Sequence, residues 1–233
     1  MDQPADPQWL TWTRRLQAIA QTGLTFTRDH YDEERYQELR LIAAEMMAAG
    51  SGIQDAEKVL DLFSRERGYA TPKIDVRGAV LRDDQVLLVR ERDDGGWTLP
   101  GGWADVGDTP SAMVVREVKE ESGYDVVPRK LAALFDRSKH PHPPIASHAY
   151  KLFFLCDLIG GEAAPSFETP EVGFFRVTDC PSSPLPVSPN TRLSTCSSMP
   201  RILSGQPASI DPTSIDRAML SIQNMFGFNG PTL

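Results

Sequence analysis

The chain has 233 residues, of which 40% are hydrophobic, so it is long enough for one sizeable domain or for a domain with an appendage. Its formal net charge of −8 argues against a general role in nucleic-acid binding, because that role usually needs a basic surface. The three cysteines, Cys156, Cys180 and Cys196, have no metal-binding spacing. No signal peptide or long apolar run is visible, so we expect a cytoplasmic protein that does not bind membranes.

Residues 1–70 are predicted to form a small, all-helical subdomain. Apolar residues recur at three- and four-residue steps in three segments, residues 9–20, 31–49 and 56–67. We expect the first helix to end at Gly23 and the second at Gly50 and Gly52. Helices of this length bury their apolar faces poorly alone, so they should dock on the main domain or on a second copy of the chain.

Residues 71–179 alternate between strand-like and helical patterns. The predicted strands are residues 73–81, 85–92, 126–136 and 148–157, with a short last strand that opens at Phe174. Asp83 and Asp84 separate the first two strands and favour a hairpin turn. The mixture predicts an α/β fold, an α/β/α sandwich on a mixed sheet, preceded by the helical subdomain.

Three acidic residues share one face of the helix predicted within residues 102–124. A helix turns about 100° per residue, so Glu117, Glu120 and Glu121 fall within one arc. Carboxylates placed in this way repel one another unless a cation lies between them. Mg²⁺ prefers such oxygen ligands together with substrate phosphates, so the arc indicates a metal site.

The same helix has clear ends and a clear apolar face. Asp108 or Thr109 is expected to cap its N-terminus, and Gly123 to end it in the left-handed conformation. Arg116 lies four residues before Glu120 and is expected to hold that carboxylate in place. The face predicted to pack on the core consists of Ala112, Val114, Val115 and Val118.

These residues resemble the signature of the Nudix hydrolase family, G-x5-E-x7-R-E-U-x-E-E-x-G-U, in which U is a bulky aliphatic residue. The matching positions are Gly102, Arg116, Glu117, Val118, Glu120, Glu121 and Gly123. Asp108 stands where the family has its first Glu, and Tyr124 stands where it has its last aliphatic residue. The resemblance covers about residues 72–179. The helices before it resemble an N-terminal extension that serves in dimerisation in a subset of the family.

The resemblance implies a hydrolase that cleaves the pyrophosphate bond of a nucleoside diphosphate linked to another group, ADP-ribose-like or CDP-choline-like. The products would be a nucleoside monophosphate and a phosphorylated compound. The implied cofactor is Mg²⁺ or Mn²⁺, held by Glu117, Glu120, Glu121 and the Gly101 carbonyl. A homodimer through residues 1–70 is also implied. Two alternatives remain: a pyrophosphatase that removes oxidised nucleoside triphosphates, and a Nudix fold that senses a ligand without catalysis.

The general base is predicted within two sets of acids. The first is the Glu120–Glu121 pair, and we count Arg116 with the catalytic residues because it orients a carboxylate. The second is Glu168 or Glu171, after the strand at 148–157, because in this family the base often lies outside the signature.

Basic, aromatic and glycine residues near the signature are candidates for substrate contacts. The predicted contacts are Arg90, Arg92, Gly101, Gly102 and Trp103. Arginine can grip a pyrophosphate with two parallel hydrogen bonds, and glycine lets the backbone approach a ligand closely. Trp97, Trp103 and Phe135 could stack on a base, although such residues are more often core. His140 and His142, among prolines, predict an ordinary loop rather than a metal site.

Residues 180–233 depart in composition from the rest of the chain. Residues 180–216 hold nine Ser and seven Pro with no aromatic residue, which predicts a disordered or aberrant tail. A shift of the reading frame near codon 180 would explain the abrupt change, and residues 216–226 could still form a short helix.

Overall fold

The described part of the chain forms two compact units. The computed structural model describes residues 6–53, 55–140 and 145–176. The first unit comprises the described residues of Met1–Lys73 and Asp136–Tyr150, and the second those of Ile74–Phe135 and Lys151–Leu233. His142 and the predicted tail at 180–233 lie outside the described residues. One boundary between the units falls between Lys73 and Ile74, and Asp136–Tyr150 belongs to the helical unit. The predicted domain bounds, 1–70 and 71–179, stay a prediction.

Three helices build the first unit, as predicted. They are α1 (Gln8–Phe26), α2 (His30–Ser51) and α3 (Ala56–Arg65). The Asp29 and Asp55 carboxylates accept backbone N–H bonds at the starts of α2 and α3, which stabilises these helix ends. Gly52, with φ 75°, ends α2 in the left-handed conformation, as predicted.

Gly23 and Gly50 do not end helices, so that part of the prediction is wrong. Both lie within helices, where a Cβ on Gly23 would be 2.4 Å from the Tyr36 ring and one on Gly50 2.3 Å from the Trp9 ring. Their missing side chains let α1 and α2 approach closely. The glycines serve packing there, and single-sequence patterns do not distinguish this use from a helix stop.

The second unit is organised on a seven-stranded sheet. The strands are β1 (Lys73–Arg82), β2 (Gln85–Arg90), β3 (Trp97–Thr98), β4 (Gly101–Trp103), β5 (Tyr124–Asp136), β6 (Ala149–Gly161) and β7 (Glu171–Arg176). The order is β3-β2-β1-β6-β5, with β4 paired to β1 and β7 paired to β2. The predicted hairpin is present, since Arg82 pairs with Gln85 around Asp83, which has φ 56°.

Helix α4 (Pro110–Ser122) packs on β1. A Cβ on Gly78 of β1 would be 2.7 Å from Val118 and 3.0 Å from Val114, so glycine allows the helix to lie close to the strand. Met113 is buried together with Val114 and Val118, whereas Ala112 is exposed. The predicted apolar face was therefore wrong by one residue at its N-terminal end.

An apolar cluster forms a core on the sheet of the second unit. Its buried members are Ala79, Val86, Leu88, Leu99, Ala133, Phe135 and Phe153. The Phe135 and Phe153 rings meet edge to face at 5.5 Å, which places Phe135 in the core rather than at a base-stacking position. No helix among residues 6–53, 55–140 and 145–176 is long and apolar enough to cross a membrane.

Cys156 of β6 is expected to react slowly with thiol reagents in the folded chain. It is 2% exposed, and burial raises the pKa of its thiol to about 12, so the reactive thiolate is scarce at neutral pH. In a Cys180→Ser/Cys196→Ser variant, alkylation by iodoacetamide should be about 100-fold slower in native buffer than in denaturant. Equal rates in the two solvents would contradict the buried position.

Candidate active site

Strand β4, which precedes α4, approaches strand β1 so closely that it requires glycine. Gly101 has φ 141°, and a Cβ there would be 2.0 Å from the Val76 carbonyl oxygen. The Gly101 N–H donates to Glu121 Oε2 at 2.8 Å. A Cβ on Gly102 would lie 3.3 Å from Glu117 Oε2. The sequence-predicted glycines therefore lie directly against two of the three predicted acids.

Glu121 is a partly buried carboxylate with a strongly shifted pKa. The pKa of Glu121 is raised to about 7, chiefly by burial and also by the charges of Glu117 and Glu91, against the Gly101 N–H and Arg77, which lower it. The charged form of Glu121 is thus poorly compensated by protein groups alone. A cation bound beside it would favour the charged form.

Glu117 and Glu120 differ in their surroundings. Burial, followed by the neighbouring charge of Glu120, raises the pKa of Glu117, while Arg116 lowers it. Glu120 is exposed, and it lines a shallow surface groove with Gly123, Glu162 and other residues. The three acids interact electrostatically, but of the three only Glu117 and Glu121 lie against Gly101 and Gly102 of β4.

The carboxylate oxygens of Glu117 and Glu121 are donors that suit a hard divalent cation. Within the residues that the structure describes, no three His, Cys, Asp or Glu side chains are gathered closely enough to hold a metal ion. Glu117 and Glu121 are therefore the preformed part of a candidate site. Glu120 would have to turn its exposed side chain to join them.

Comparison with protein families identifies the domain that carries these acids. The family model described as the NUDIX domain matches residues 72–192, which is more than half of the chain. The chain belongs to the Nudix family. It is a Nudix hydrolase, an enzyme acting on phosphorus anhydrides, and the predicted Nudix-type fold is confirmed. A second model, described as a UDP-X-like N-terminal oligomerisation domain, matches residues 7–63 and confirms the predicted type of extension.

Several relatives of this Nudix chain carry names that state a substrate. The Bacillus subtilis protein YjhB, provisionally named an ADP-ribose pyrophosphatase, is 48% identical over 78% of this chain and 85% of its own length. A crystal structure of an ADP-ribose pyrophosphatase from Streptococcus suis is 45% identical, covering 49% of this chain and 81% of that one, with a TM-score of 0.45. A crystal structure titled UDP-X diphosphatase is 32% identical, covering 76% of this chain and 86% of that one, with a TM-score of 0.46.

Arg116 of the Nudix signature pairs with the loop before α4. Its guanidinium bonds to Asp108 and, at 2.7 Å, to Asp105 Oδ2, and it lies 3.8 Å from Glu117 Oε1. The expected pairing with Glu120 is therefore replaced by loop contacts. Thr109 caps the helix, and its hydroxyl accepts from the Ala112 N–H at 3.2 Å, which leaves Asp108 free to bind Arg116.

Arg90 and Arg92 are both engaged by neighbouring segments. Arg90 donates to the Gly95 carbonyl at 3.0 Å and pairs with Glu171 at 2.5 Å. Arg92 donates to the Phe167 carbonyl, and its guanidinium lies 4.3 Å from the centre of that ring. Their role in binding substrate phosphates stays a prediction. To take that role, each arginine would have to share or exchange its present hydrogen-bond partners.

The segment before β7 is anchored to the signature helix. The buried Thr169 hydroxyl donates to the Glu121 carbonyl oxygen at 2.6 Å and also contacts the Ser166 hydroxyl at 2.8 Å. Glu168 is exposed next to this anchor, whereas Glu171 is held by Arg90. Glu168 is therefore adjacent in sequence to Thr169, the residue that contacts α4, whereas Glu171 begins β7.

The aromatic candidates take different positions. Trp97 packs edge to face on Phe175 at 4.7 Å, beside the sheet core. Trp103, next to Gly102, is 50% exposed and remains available for a ligand. His140 follows a short 3-10 helix, Arg137–Lys139, in the helical unit.

Reasoning from sequence missed a buried charge cluster on β1. Arg77 makes two hydrogen bonds to the Asp75 carboxylate, at 2.8 and 3.1 Å, and one to the Leu99 carbonyl at 3.0 Å. The Lys151 ammonium lies 3.7 Å from Asp75. A signal was present, because Asp75 and Arg77 alternate within an otherwise apolar strand, and charges on a buried strand are usually paired.

Proposed function

We propose that this Nudix hydrolase depends on a divalent metal and cleaves the pyrophosphate bond of a nucleoside diphosphate joined to a second group, such as ADP-ribose. The observation that carries the proposal is the pair of partly buried carboxylates, Glu117 and Glu121, held against Gly101 and Gly102 of β4. Two half-buried acids with raised pKa values have little structural use, whereas a phosphate-bound cation would stabilise both in their charged form.

Glu117, Glu120, Glu121 and the Gly101 carbonyl would hold the cation, and Mg²⁺ or Mn²⁺ fits these oxygen donors. A bound cation of this kind supplies charge neutralisation at the phosphates and lowers the pKa of a water molecule. The protein's own contribution is orientation. The Gly101 N–H fixes one oxygen of Glu121, and Arg116 holds the loop residues Asp105 and Asp108.

The names of the relatives, ADP-ribose pyrophosphatase and UDP-X diphosphatase, support this substrate class. Both names denote a nucleoside diphosphate linked to a second moiety. CDP-choline has the same linkage and belongs in the substrate panel, although neither name points to it. A sensor without catalysis is disfavoured, because ligand binding alone does not need three acids on one helix face.

The test is product analysis with the full chain. With Mg²⁺, ADP-ribose should give AMP and ribose 5-phosphate, and excess chelator should abolish the reaction. Hydrolysis that continues at an unchanged rate in chelator would reject the metal dependence. No turnover of any diphosphate-linked nucleoside, with tight binding of one of them, would favour the sensor.

We assign the general base to Glu168 rather than Glu171, because Glu171 is held by Arg90 whereas Glu168 is exposed beside the Thr169 anchor. Glu168→Gln is expected to lower kcat about 100-fold, a typical contribution of general base catalysis. Glu171→Gln is the matched control and should change kcat less than about threefold. The reverse ranking of the two variants would move the base to Glu171, and two small effects would leave it in the Glu120–Glu121 pair.

The helical unit is proposed to form a homodimer. Trp12, Ile19 and Phe26 follow one another at seven-residue steps on α1, so they lie on one side of the helix, and they are 50%, 52% and 65% exposed. The match of residues 7–63 to an oligomerisation domain supports a second copy of this chain as the occupant of that face.

A Trp12→Ser/Ile19→Ser variant is expected to shift the chain from dimer to monomer. Each exposed apolar side chain that becomes buried at an interface contributes about 1.5–3 kcal/mol, so losing two should weaken association by two or more powers of ten. Sedimentation velocity at micromolar concentration measures the shift. Ile159→Ser, at an exposed apolar position in the second unit, is the control. An unmodified chain that sediments as a monomer would refute the dimer.

A further inference from the structure

The segment that carries Gly101 changes its strand partner at Leu99 and Pro100. Before this point, Trp97 and Thr98 pair with β2, and after it, residues 101–103 pair with β1. Backbone groups at such a crossing lie between two ladders and need other partners. The Pro100 carbonyl accepts from the Gly78 N–H at 2.8 Å.

The Arg77 guanidinium lies at the same crossing. Its Nη1 donates to the Leu99 carbonyl at 3.0 Å and lies 3.5 Å from both Thr98 Oγ1 and Glu91 Oε1. Asp75 binds the other side of the guanidinium with both carboxylate oxygens. Arg77 therefore contacts the end of the β3 segment and the residue after β2 at once.

Asp75 limits how the guanidinium can move. The Arg77 and Asp75 side chains are 11% and 7% exposed, and a planar two-bond pair fixes both the position and the plane of the arginine. Burial alone lowers the pKa of Arg77, but the charge and hydrogen bonds of Asp75, together with the charges of Glu91 and Glu121, raise it, so the arginine stays charged.

The crossing is two residues from the contact that orients Glu121. Leu99 is held by Arg77 and Pro100 by Gly78, and the next residue, Gly101, donates its N–H to Glu121 Oε2. A shift of the crossing would displace this N–H, and displacements of about 1 Å at a reacting centre can cost about 100-fold in rate.

We propose that Asp75 and Arg77 form a loop clamp, a pair of positioning residues that places Gly101 against Glu121. This inference rests on the proposed function of Glu121 but concerns residues outside the Nudix signature. The alternative is an ordinary buried ion pair that stabilises the fold without directing the loop. The clamp and the ordinary ion pair predict different effects of Arg77→Lys. Lysine keeps a positive charge for Asp75, but it lacks the planar guanidinium that also reaches the Leu99 carbonyl.

The experiment uses the full chain and compares Arg77→Lys with Arg129→Lys, a control in another Arg–Asp pair, Arg129 with Asp157. Hydrogen exchange measures protection of the segment at residues 96–104. Titration calorimetry with Mn²⁺ alone measures metal affinity. Initial rates with ADP-ribose separate kcat from KM.

The clamp predicts that Arg77→Lys speeds amide exchange in residues 96–104 by about tenfold or more while the rest of the chain keeps its protection. It predicts weaker Mn²⁺ binding, and kcat lowered at least about tenfold with KM changed less than about threefold. Arg129→Lys should leave all of these values unchanged.

The proposal is wrong if exchange in residues 96–104 is unaltered in a folded Arg77→Lys chain, or if faster exchange comes with unchanged kcat and Mn²⁺ affinity. If Arg77→Lys does not fold, Asp75→Asn takes its place, because asparagine keeps the shape of the aspartate. Hydrogen exchange, Mn²⁺ affinity and initial rates then test the proposal in the same way. An unmodified chain without hydrolase activity would reject the proposed function, while exchange and Mn²⁺ binding would still test the clamp.

Discussion

Replacing Glu121 by glutamine is expected to lower kcat by about 100-fold or more, which corresponds to about 3 kcal/mol of transition-state stabilisation. Glutamine keeps the size of the side chain and can still accept the Gly101 N–H bond through its carbonyl oxygen. It loses the negative charge that a phosphate-bound cation needs. The fold should survive the change, because burial already disfavours the charged form of Glu121.

Initial rates and thermal unfolding of Glu121→Gln, measured side by side, separate the two effects. Glu57→Gln, an exposed acid in the first turn of α3, serves as the control and should leave the rate unchanged. A Glu121→Gln chain with the rate of the unmodified protein would remove this carboxylate from the mechanism. Glu120→Gln tested in the same series shows whether the exposed acid shares the role.

Replacing Gly101 by alanine is expected to destroy activity and to lower stability. Its φ of 141° is unfavourable for any side chain, and the new Cβ would meet the Val76 carbonyl oxygen at 2.0 Å, so the loop has to move away from β1. We expect a loss of about 3 kcal/mol in the free energy of unfolding, and a fall in kcat of about 100-fold or more in the molecules that remain folded.

Gly107→Ala is the matched control for backbone strain. Gly107 has φ 101°, but nothing lies within 4 Å of its Cβ position, so alanine there adds strain without a clash. Its effect should stay near about 1 kcal/mol with little change in kcat. Denaturant unfolding and rates at matched folded concentrations measure both variants. Equal effects at the two positions would mean that close packing of Gly101 on β1 is unimportant.

The ends of α4 were predictable from sequence because they depend on local rules. Thr109, Pro110 and Gly123 satisfy capping preferences within a few residues of the helix they bound. The hairpin at Asp83 is equally local. The acidic arc was recognisable because like charges on one helix face have few purely structural explanations.

The partners of charged side chains were not predictable, because they depend on distant segments. Arg116 could meet Glu120 by helical spacing, yet the preceding loop brings Asp105 and Asp108 within reach. Arg77 meets Leu99, which lies 22 residues further along the chain, through the pairing of β1 with β4. Helical periodicity and turn signals carry no information on such contacts.

The roles of the glycines in the helical unit also depend on residues that are distant in sequence. Gly52 ends α2 as its position suggests, whereas Gly23 and Gly50 let aromatic rings lie against helix backbones. The roles become distinct only when the ring of Tyr36 or Trp9 is in place. The predictions for the tail at residues 180–233 concern a part of the chain outside the described residues and stay predictions.

The most direct test of the account compares kcat/KM for ADP-ribose, a UDP-sugar, CDP-choline, dGTP and oxidised dGTP at one Mg²⁺ concentration. The account predicts that a diphosphate-linked nucleoside exceeds both triphosphates by at least about tenfold, or about 1.4 kcal/mol of transition-state preference. A triphosphate that exceeds every diphosphate-linked compound by the same factor would contradict it, and would identify the chain as a triphosphate pyrophosphatase.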